Sequence, residues 1–369
     1  MKKDIYFFIG TTAELIKLAP VIRELKKRKI NSKIIASAQN SLQFNELKFI
    51  IGKHSAYYTL GVKPISLLLN FYFRFVIWSI KSFVNFLLYF KTEFKDIDKK
   101  NSFFIVHGDT VSSLIGAVIA RIYGIKLVHI ESGLRSYNFL EPFPEELIRF
   151  IISHLAKIHF CPNSWAVNNL RKTGGVRIST QNNTLIETVS ITFKNTKKSE
   201  FKPIQNRKYF VLVLHRQEHM LLKKNLTRNV LNIFAQYTNK DLFCVLVLHK
   251  LTEKFLRKEK LIDKLRKNKN IILVPRLPYR EFIHLMEKAE FIATDGGSNQ
   301  EEAYYMGKPC LILRNVTERI EGLGENALLS HGEENIIRQF INNYKKYERK
   351  PASFIIPPSK IIVDYLIKN

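Results

Sequence analysis

Cysteine is scarce in this chain: Cys161, Cys244 and Cys310 are the only three in 369 residues. An odd count, wide spacing and apolar neighbours argue against a disulfide framework and against a cysteine-ligated zinc site, and they fit a reducing cytosol. Acidic residues are also few, 32 against 59 Lys plus Arg, which leaves a formal net charge of +27. Such an excess favours acidic partners: nucleic acid, anionic lipid or a phosphorylated ligand. The lysines are scattered, as in Lys26-Lys27, Lys99-Lys100, Lys197-Lys198 and Lys345-Lys346. They form no basic stripe interleaved with aromatics and belong to no nucleic-acid module, so nucleic acid is not expected as a partner. The apolar run Ile5–Ile9 after Met1-Lys2-Lys3 is too short for a signal peptide and lacks a small-residue cleavage pattern. It reads as a buried strand ending at Gly10. Repeats at solenoid spacing and low-complexity tracts are missing too.

What is present is an alternation of short apolar runs with longer amphipathic ones. A length of 369 residues exceeds the roughly 250–300 that one core usually supports, so two domains are expected. Strands are expected at Ile5–Ile9, Ser32–Ala38, Phe103–Val106 and Lys126–Ile130, with helices at Glu14–Arg28 and Val111–Tyr123. Strand–helix–strand repetition implies parallel sheets flanked by helices. Phe193–Lys208 is polar, basic and without apolar period, and reads as a linker. A second series follows, with strands at Tyr209–Leu214, Leu242–Leu248, Ile271–Val274, Phe291–Thr294 and Cys310–Leu313. The domain boundaries are thus 1–190 and 208–350, with a tail, 351–369, returning to the first domain as a short helix. One segment is unusual. Ile65–Phe90 is apolar and aromatic, with Ser66, Asn70, Arg74, Lys81 and Asn85 on one helical face. Its charges argue against a spanning helix. It is either one or two buried helices or an interfacial helix pair.

In open α/β sheets ligands bind beyond the carboxyl ends of the strands, so the polar residues there are the candidates. Gly10-Thr11-Thr12-Ala13-Glu14 is a strand-to-helix turn with Lys17 one turn further. Asp109 in His107-Gly108-Asp109-Thr110 reads by itself as a helix cap. Glu131 follows the next strand, just ahead of Gly133. Glu145 and Arg149 after Pro142-Phe143-Pro144 read as an i,i+4 pair. Taken together, three carboxylates on neighbouring strand ends point to acid–base chemistry, because crowded carboxylates push each other's pKa apart. His215-Arg216 ends the first strand of the second series. Gly296, Gly297 and Ser298 open a helix as a cradle of N–H groups suited to a diphosphate, with Glu302 one turn in, placed for ribose hydroxyls. Arg314 and Arg319 follow the last strand.

With these segments in hand, the chain resembles the UDP-N-acetylglucosamine 2-epimerase family. The matching stretches are GTTAELIKLAP, VHGDTVSS, HIESGLRS, PFPEELIR, LHRQE, TDGGSNQEE, GKPCLILR and TERIEG, in the family's order. The resemblance implies a GT-B architecture: two Rossmann-like domains facing each other across a cleft, with UDP held mainly by the second. It implies catalytic roles for Asp109, Glu131, Glu145 and His215, and substrate or UDP contacts for Gly10, Lys17, Arg149, Arg216, Gly296, Gly297, Ser298, Glu302 and Arg319. It implies removal of the C2 proton with anti elimination of UDP and re-addition, or hydration to free N-acetylmannosamine, in surface polysaccharide synthesis. Neither a metal nor a redox cofactor is required, and a cytoplasmic homodimer is expected. The chain departs from the family at Thr12-Ala13 (usually Arg-Pro), at Asp295-Gly296-Gly297-Ser298 (usually Asp-Ser-Gly-Gly) and at Gln217 and His219. A GT-B glycosyltransferase held on the inner face of an anionic membrane by residues 65–90 is the alternative reading. A non-catalytic binding protein is a third.

Overall fold

Apolar runs bounded by polar turns become central strands because parallel strands are buried on both faces and tolerate no alternation. The computed structural model describes residues 4–52, 58–59, 71–93, 97–194, 207–216, 220 and 224–369. These fall into two compact units, Met1–Thr188 with Phe354–Asn369, and Val189–Ser353. The linker segment 195–206, residues 65–70 of the apolar segment, and Gln217, Glu218 and His219 lie outside the described residues.

The first unit opens with β1 (Ile5–Ile9), α1 (Thr12–Lys27), β2 (Ser32–Ala36), α2 (Lys48–Ile51) and β3 (Tyr58–Thr59). It continues through α3 (Phe71–Glu93), β4 (Phe103–His107), α4 (Val111–Ile122), β5 (Lys126–Ile130) and α5 (Glu145–Leu155). Then come β6 (Ile158–Cys161), α6 (Ser164–Asn169), β7 (Val176–Ser179) and α7 (Leu185–Lys194), whose last residues pass into the second unit. The seven strands run parallel in the order β3-β2-β1-β4-β5-β6-β7. On one face of the sheet Phe8 meets Phe86 of α3 with centroids 4.5 Å apart, and Phe90 packs on Phe104 and Tyr123.

Helix α1 begins with a capping box: Thr11 accepts from the Glu14 amide while the Glu14 carboxylate accepts from the Thr11 amide. Pro20 lies inside this helix and offers no N–H to the Ile16 carbonyl one turn back. That carbonyl is met by the Thr188 hydroxyl at 2.8 Å, and the neighbouring Lys17 carbonyl accepts from the Thr184 hydroxyl at 2.5 Å. Thr188 of α7 thus takes up the acceptor that Pro20 orphans.

Where described, the apolar segment is one helix with two characters. Trp78, Ser82, Phe86 and Phe90 repeat every four residues and are buried, whereas Ile80, Val84 and Leu88 form an exposed apolar stripe beside exposed Lys81 and Asn85. It is therefore neither fully buried nor a helix pair. No helix among the described residues is long and apolar enough to cross a membrane.

The second unit contains β8 (Tyr209–Val213), α8 (Lys224–Tyr237), β9 (Phe243–Leu248), α9 (Lys250–Lys258) and α10 (Ile262–Lys267). After these come β10 (Ile271–Pro275), α11 (Tyr279–Glu287), β11 (Ile292–Thr294), α12 (Gly297–Met306), β12 (Cys310–Ile312), β13 (Ala327–Leu329) and α13 (Glu334–Asn343). Its parallel sheet has the order β10-β9-β8-β11-β12-β13 around a core in which Phe210 stacks on Phe291 at 4.7 Å. The last helix, α14 (Pro358–Lys368), belongs to the first unit and lies on α1. Ser359 gives its amide and hydroxyl to Glu187, and Arg28 pairs with Asp364 at 2.5 Å. All three cysteines are buried and free.

Candidate functional site

Both sheets have a switch point, where strand order reverses and the loops after two adjacent strands diverge to open a crevice. In the first unit it lies between β1 and β4, and in the second between β8 and β11. Gly10 and Asp109 follow the first pair of strands and His215 and Gly296 the second, while Glu131 follows the neighbouring β5 and Arg319 follows β12.

Three groups occupy the first crevice. Lys17 Nζ lies 2.8 and 2.7 Å from the two carboxylate oxygens of Glu131, with both side chains buried. His107 Nε2 lies 3.0 Å from Glu131 Oε2. Glu131 holds φ at +63°, a left-handed conformation uncommon for a residue with a Cβ. Beside it Asp109 pairs with the Arg149 guanidinium, which also lies 3.7 Å from Glu146. Glu146 in turn accepts from Arg135 Nε at 2.5 Å and from the Ser136 and Tyr137 amides. Arg135 is held against the rings of Tyr137, Phe139 and Phe150. The third group centres on Glu14. It accepts from the Gly10 and Thr11 amides and from the Thr110 and Ser113 hydroxyls, tying the β1 turn to the start of α4. Burial pushes the Glu14 carboxyl above its usual range, and the four donors pull it back only in part.

Several readings of the sequence need correction here. Asp109 does not cap α4; Thr110 does, accepting from the Ser113 amide at 3.0 Å, and Asp109 is left for Arg149. Arg149 pairs with Asp109 and lies 3.7 Å from Glu146, three residues back, contacts that the i,i+4 spacing to Glu145 does not predict. Glu131 and Asp109 each have a cation beside them, Lys17 and Arg149 respectively. Thr12, where the family usually has Arg, is buried and spends its hydroxyl on the Ser41 carbonyl and the Gln43 amide.

The second crevice is built on Asp295, which is fully buried after β11. It accepts from the His215 and Arg216 amides at 3.0 Å and lies 3.2 Å from His215 Nδ1. His215 stacks on His249, at the end of β9, with ring centroids 4.9 Å apart. Burial, with the neighbouring His215 and Arg276, lowers the His249 imidazole to about 4. Helix α12 starts at Gly297, and its free N–H groups make an anion-receptive end. A Cβ at Gly297 would sit 2.6 Å from Arg319 Nε and 2.9 Å from Glu318, and one at Gly296 would sit 2.6 Å from His215 and Asn299. Both glycines therefore let side chains close over the helix start, with Ser298 half-buried beside them. Arg319 is buried, 3.3 Å from Glu301, and its loop is pinned by Gln300, which donates to the Arg319 and Glu321 carbonyls. Arg314 and Arg216 share Glu318 at 2.8 and 3.6 Å. Glu302 accepts from Asn299 Nδ2 at 2.9 Å, and the buried Tyr279 phenol is close enough to feel its charge. Burial and that carboxylate push the phenol well above its ordinary range.

The structure thus gathers Gly10, Lys17, Asp109, Glu131 and Arg149 at one crevice and His215, Arg216, Gly296, Gly297, Ser298, Glu302 and Arg319 at the other, while Glu145 is the first residue of α5, one turn before Arg149. Residues that the sequence reading missed are His107, Arg135, Glu146, His249, Tyr279 and Glu318. His107 and His249 were findable as polar residues ending apolar strands. Glu146 was hidden by its neighbour Glu145, because which of two adjacent glutamates turns inward depends on helix phase.

Two Rossmann-like units with ligand-competent switch points define an α/β protein of the GT-B class. The chain belongs to the UDP-N-acetylglucosamine 2-epimerase family, whose model matches residues 23–354. It is 31% identical to the UDP-N-acetylglucosamine 2-epimerase of Campylobacter jejuni, with 96% of this chain and 94% of that one covered. Identity to the enzyme of that name from Neisseria meningitidis is also 31%, covering 98% of each. The crystal structure of the Methanocaldococcus jannaschii UDP-GlcNAc 2-epimerase in complex with UDP-GlcNAc and UDP matches with a TM-score of 0.82 at 28% identity, over 99% of this chain and 100% of that one. The Neisseria meningitidis enzyme bound to UDP-GlcNAc matches with a TM-score of 0.82 at 30% identity, over 99% and 100%.

Proposed function

We propose that this chain is a non-hydrolysing UDP-N-acetylglucosamine 2-epimerase that interconverts UDP-GlcNAc and UDP-ManNAc. The observation that carries the reading is the buried Lys17–Glu131–His107 set beside Asp109–Arg149, in a chain matching relatives named for this activity over nearly its whole length. A base takes the C2 proton, the C2–H electrons become the C1–C2 double bond, and the C1–O bond breaks with its electrons leaving on UDP. The bound pair is then 2-acetamidoglucal and UDP. UDP returns to C1 while a proton reaches C2 on the opposite face. The sequence is redox-neutral, so its balance needs no redox cofactor. We assign the proton transfers to Asp109, Glu131, Glu145 and His215. Lys17 and Arg149 orient Glu131 and Asp109 and contact the substrate, as does Gly10 at the β1 turn. We assign the departing diphosphate to the N–H groups at Gly296, Gly297 and Ser298 with Arg216 and Arg319, and the ribose to Glu302.

Proton NMR of UDP-GlcNAc with the enzyme in D₂O tests this. Loss of the C2 proton signal with growth of UDP-ManNAc is expected. Free N-acetylmannosamine would instead mark a hydrolysing enzyme, and bound UDP with no C2 exchange would sink the reading. Asp109→Asn and Glu131→Gln are expected to lose turnover by about a hundredfold or more while UDP affinity holds. Arg319→Ala is expected to weaken UDP binding by about 1.5–3 kcal/mol, a charged hydrogen bond's worth.

Two surfaces support finer partners. We propose that the exposed apolar cluster of Phe139, Leu140, Phe143, Leu147 and Phe150 joins two copies in a homodimer. We further propose that the Ile80–Val84–Leu88 stripe, with Lys81 and Lys91 nearby, rests on the inner, anionic face of a membrane from the cytoplasmic side. Light scattering on a Leu140→Asp/Phe143→Asp variant and co-sedimentation with anionic vesicles test them separately.

A further inference from the structure

Behind the first crevice runs a buried chain of polar atoms that the proposed chemistry does not use. His129 of β5, Ser132 just beyond it and His159 of β6 are each no more than 1% exposed. His129 Nε2 lies 2.8 Å from the Gly108 carbonyl and its Nδ1 lies 3.0 Å from Ser132 Oγ. Ser132 Oγ lies 3.0 Å from His159 Nδ1, and His159 Nε2 lies 3.0 Å from the Gly174 carbonyl. A carbonyl only accepts, so both Nε2 atoms carry protons. A neutral imidazole has one N–H, so both Nδ1 atoms are then bare acceptors facing one hydroxyl, which has one proton to give. The neutral chain has four contacts and three protons. A fourth proton would complete it by making one ring an imidazolium. Burial opposes that, lowering His129 to about 3 and His159 as well. His107 and Glu131 face the first ring with opposite effects, and Arg177 and His154 both disfavour charge on the second.

The chain therefore stays neutral, and each ring is fixed as the Nε2–H tautomer. The end that matters is Gly108. It holds φ at +63° and is the residue immediately before Asp109, and its carbonyl is gripped by His129 Nε2–H. The same His129 lies two residues before Glu131, itself at φ +63°. From this geometry we infer that His129 is a positioning residue: locked in its Nε2–H form, it holds the Gly108 carbonyl and so aims Asp109 at the substrate, with Ser132 and His159 backing the ring. This rests on the reading that Asp109 and Glu131 transfer protons.

The wild-type protein tests the chain without any assay. Long-range proton–nitrogen NMR of ¹⁵N-histidine-labelled enzyme at neutral pH is expected to show His129 and His159 as neutral Nε2–H tautomers. An Nδ1–H or doubly protonated ring at either position would overturn the inference. Kinetics test the consequence. His129→Leu is expected to lower kcat about tenfold to a hundredfold, as a displaced catalytic group does, with KM and UDP affinity within about threefold. His129→Gln, whose amide N–H can still reach Gly108, is expected to recover most of that loss. A folded His129→Leu enzyme with wild-type kcat, or a Gln variant no better than Leu, would overturn the positioning role. Absence of C2 exchange in the wild type would overturn the epimerase reading and the positioning role with it, whereas the ring tautomers report on the chain alone.

Discussion

Lys17 and Glu131 are 114 positions apart in sequence and 2.7 Å apart in space. Two energies compete at Glu131. Its left-handed backbone costs about 1–3 kcal/mol. Stranding a buried Lys17 by removing its partner costs about 3–5 kcal/mol. The second is larger, so Glu131→Gly relieves strain and still lowers stability. Urea unfolding of Lys17→Met, Glu131→Gln and the double variant checks this. Each single change is expected to cost about 3–5 kcal/mol, and the double variant less than their sum. Strict additivity would mean that the pair is not coupled. At this scale the sequence revealed which residues stand at strand ends but not whom they meet. Asp109 read as a cap because Asp caps helices well, and Thr110 took that role because it is one residue closer to the start of α4. Arg149 went to Asp109 because β4 and β5 are neighbours, which no local spacing encodes.

Elements were more legible, because periodicity is local. Parallel strands read as short apolar runs, and β1, β8 and β9 lie within a residue of where those runs predict them. Helix α3 was harder. Its exposed face carries Ile80, Val84 and Leu88, so hydrophobicity alone could not say which side is buried. Pro20 offers a test at this scale. Removing the hydroxyl that serves the Ile16 carbonyl, with Thr188→Val, is expected to cost about 1–3 kcal/mol for a buried acceptor left unmet. In a Pro20→Ala background the backbone N–H restored at that position serves the same carbonyl, and the cost of Thr188→Val should shrink. Equal costs in both backgrounds, read from denaturant midpoints, would show that the proline is not what makes Thr188 matter.

Across the whole molecule, two parallel sheets were legible from the two strand–helix series, since each series ends where apolar periodicity stops. The attachment of α14 to the first unit has a pH signature. Burial raises the Glu187 carboxyl, and the two Ser359 donors offset this only in part. A carboxyl raised on folding contributes stability that is present below its unfolded pKa, near 4.5, and is lost as pH climbs through the higher folded value. Glu187→Gln cannot ionise. Its Tm relative to wild type is therefore expected to rise from pH 4 to pH 8, and a flat difference would remove Glu187 as the cause.

The membership of Phe354–Asn369 in the unit that starts at Met1 also bears on how the protein is made. Translation delivers all of Val189–Ser353 before the first unit has its last helix. The later unit is a continuous stretch that a ribosome can release to fold at once. The earlier one must wait, with the α1 and α7 surfaces that receive α14 uncovered, until Phe354–Asn369 has been made. In this protein the order of emergence and the order of completion are reversed.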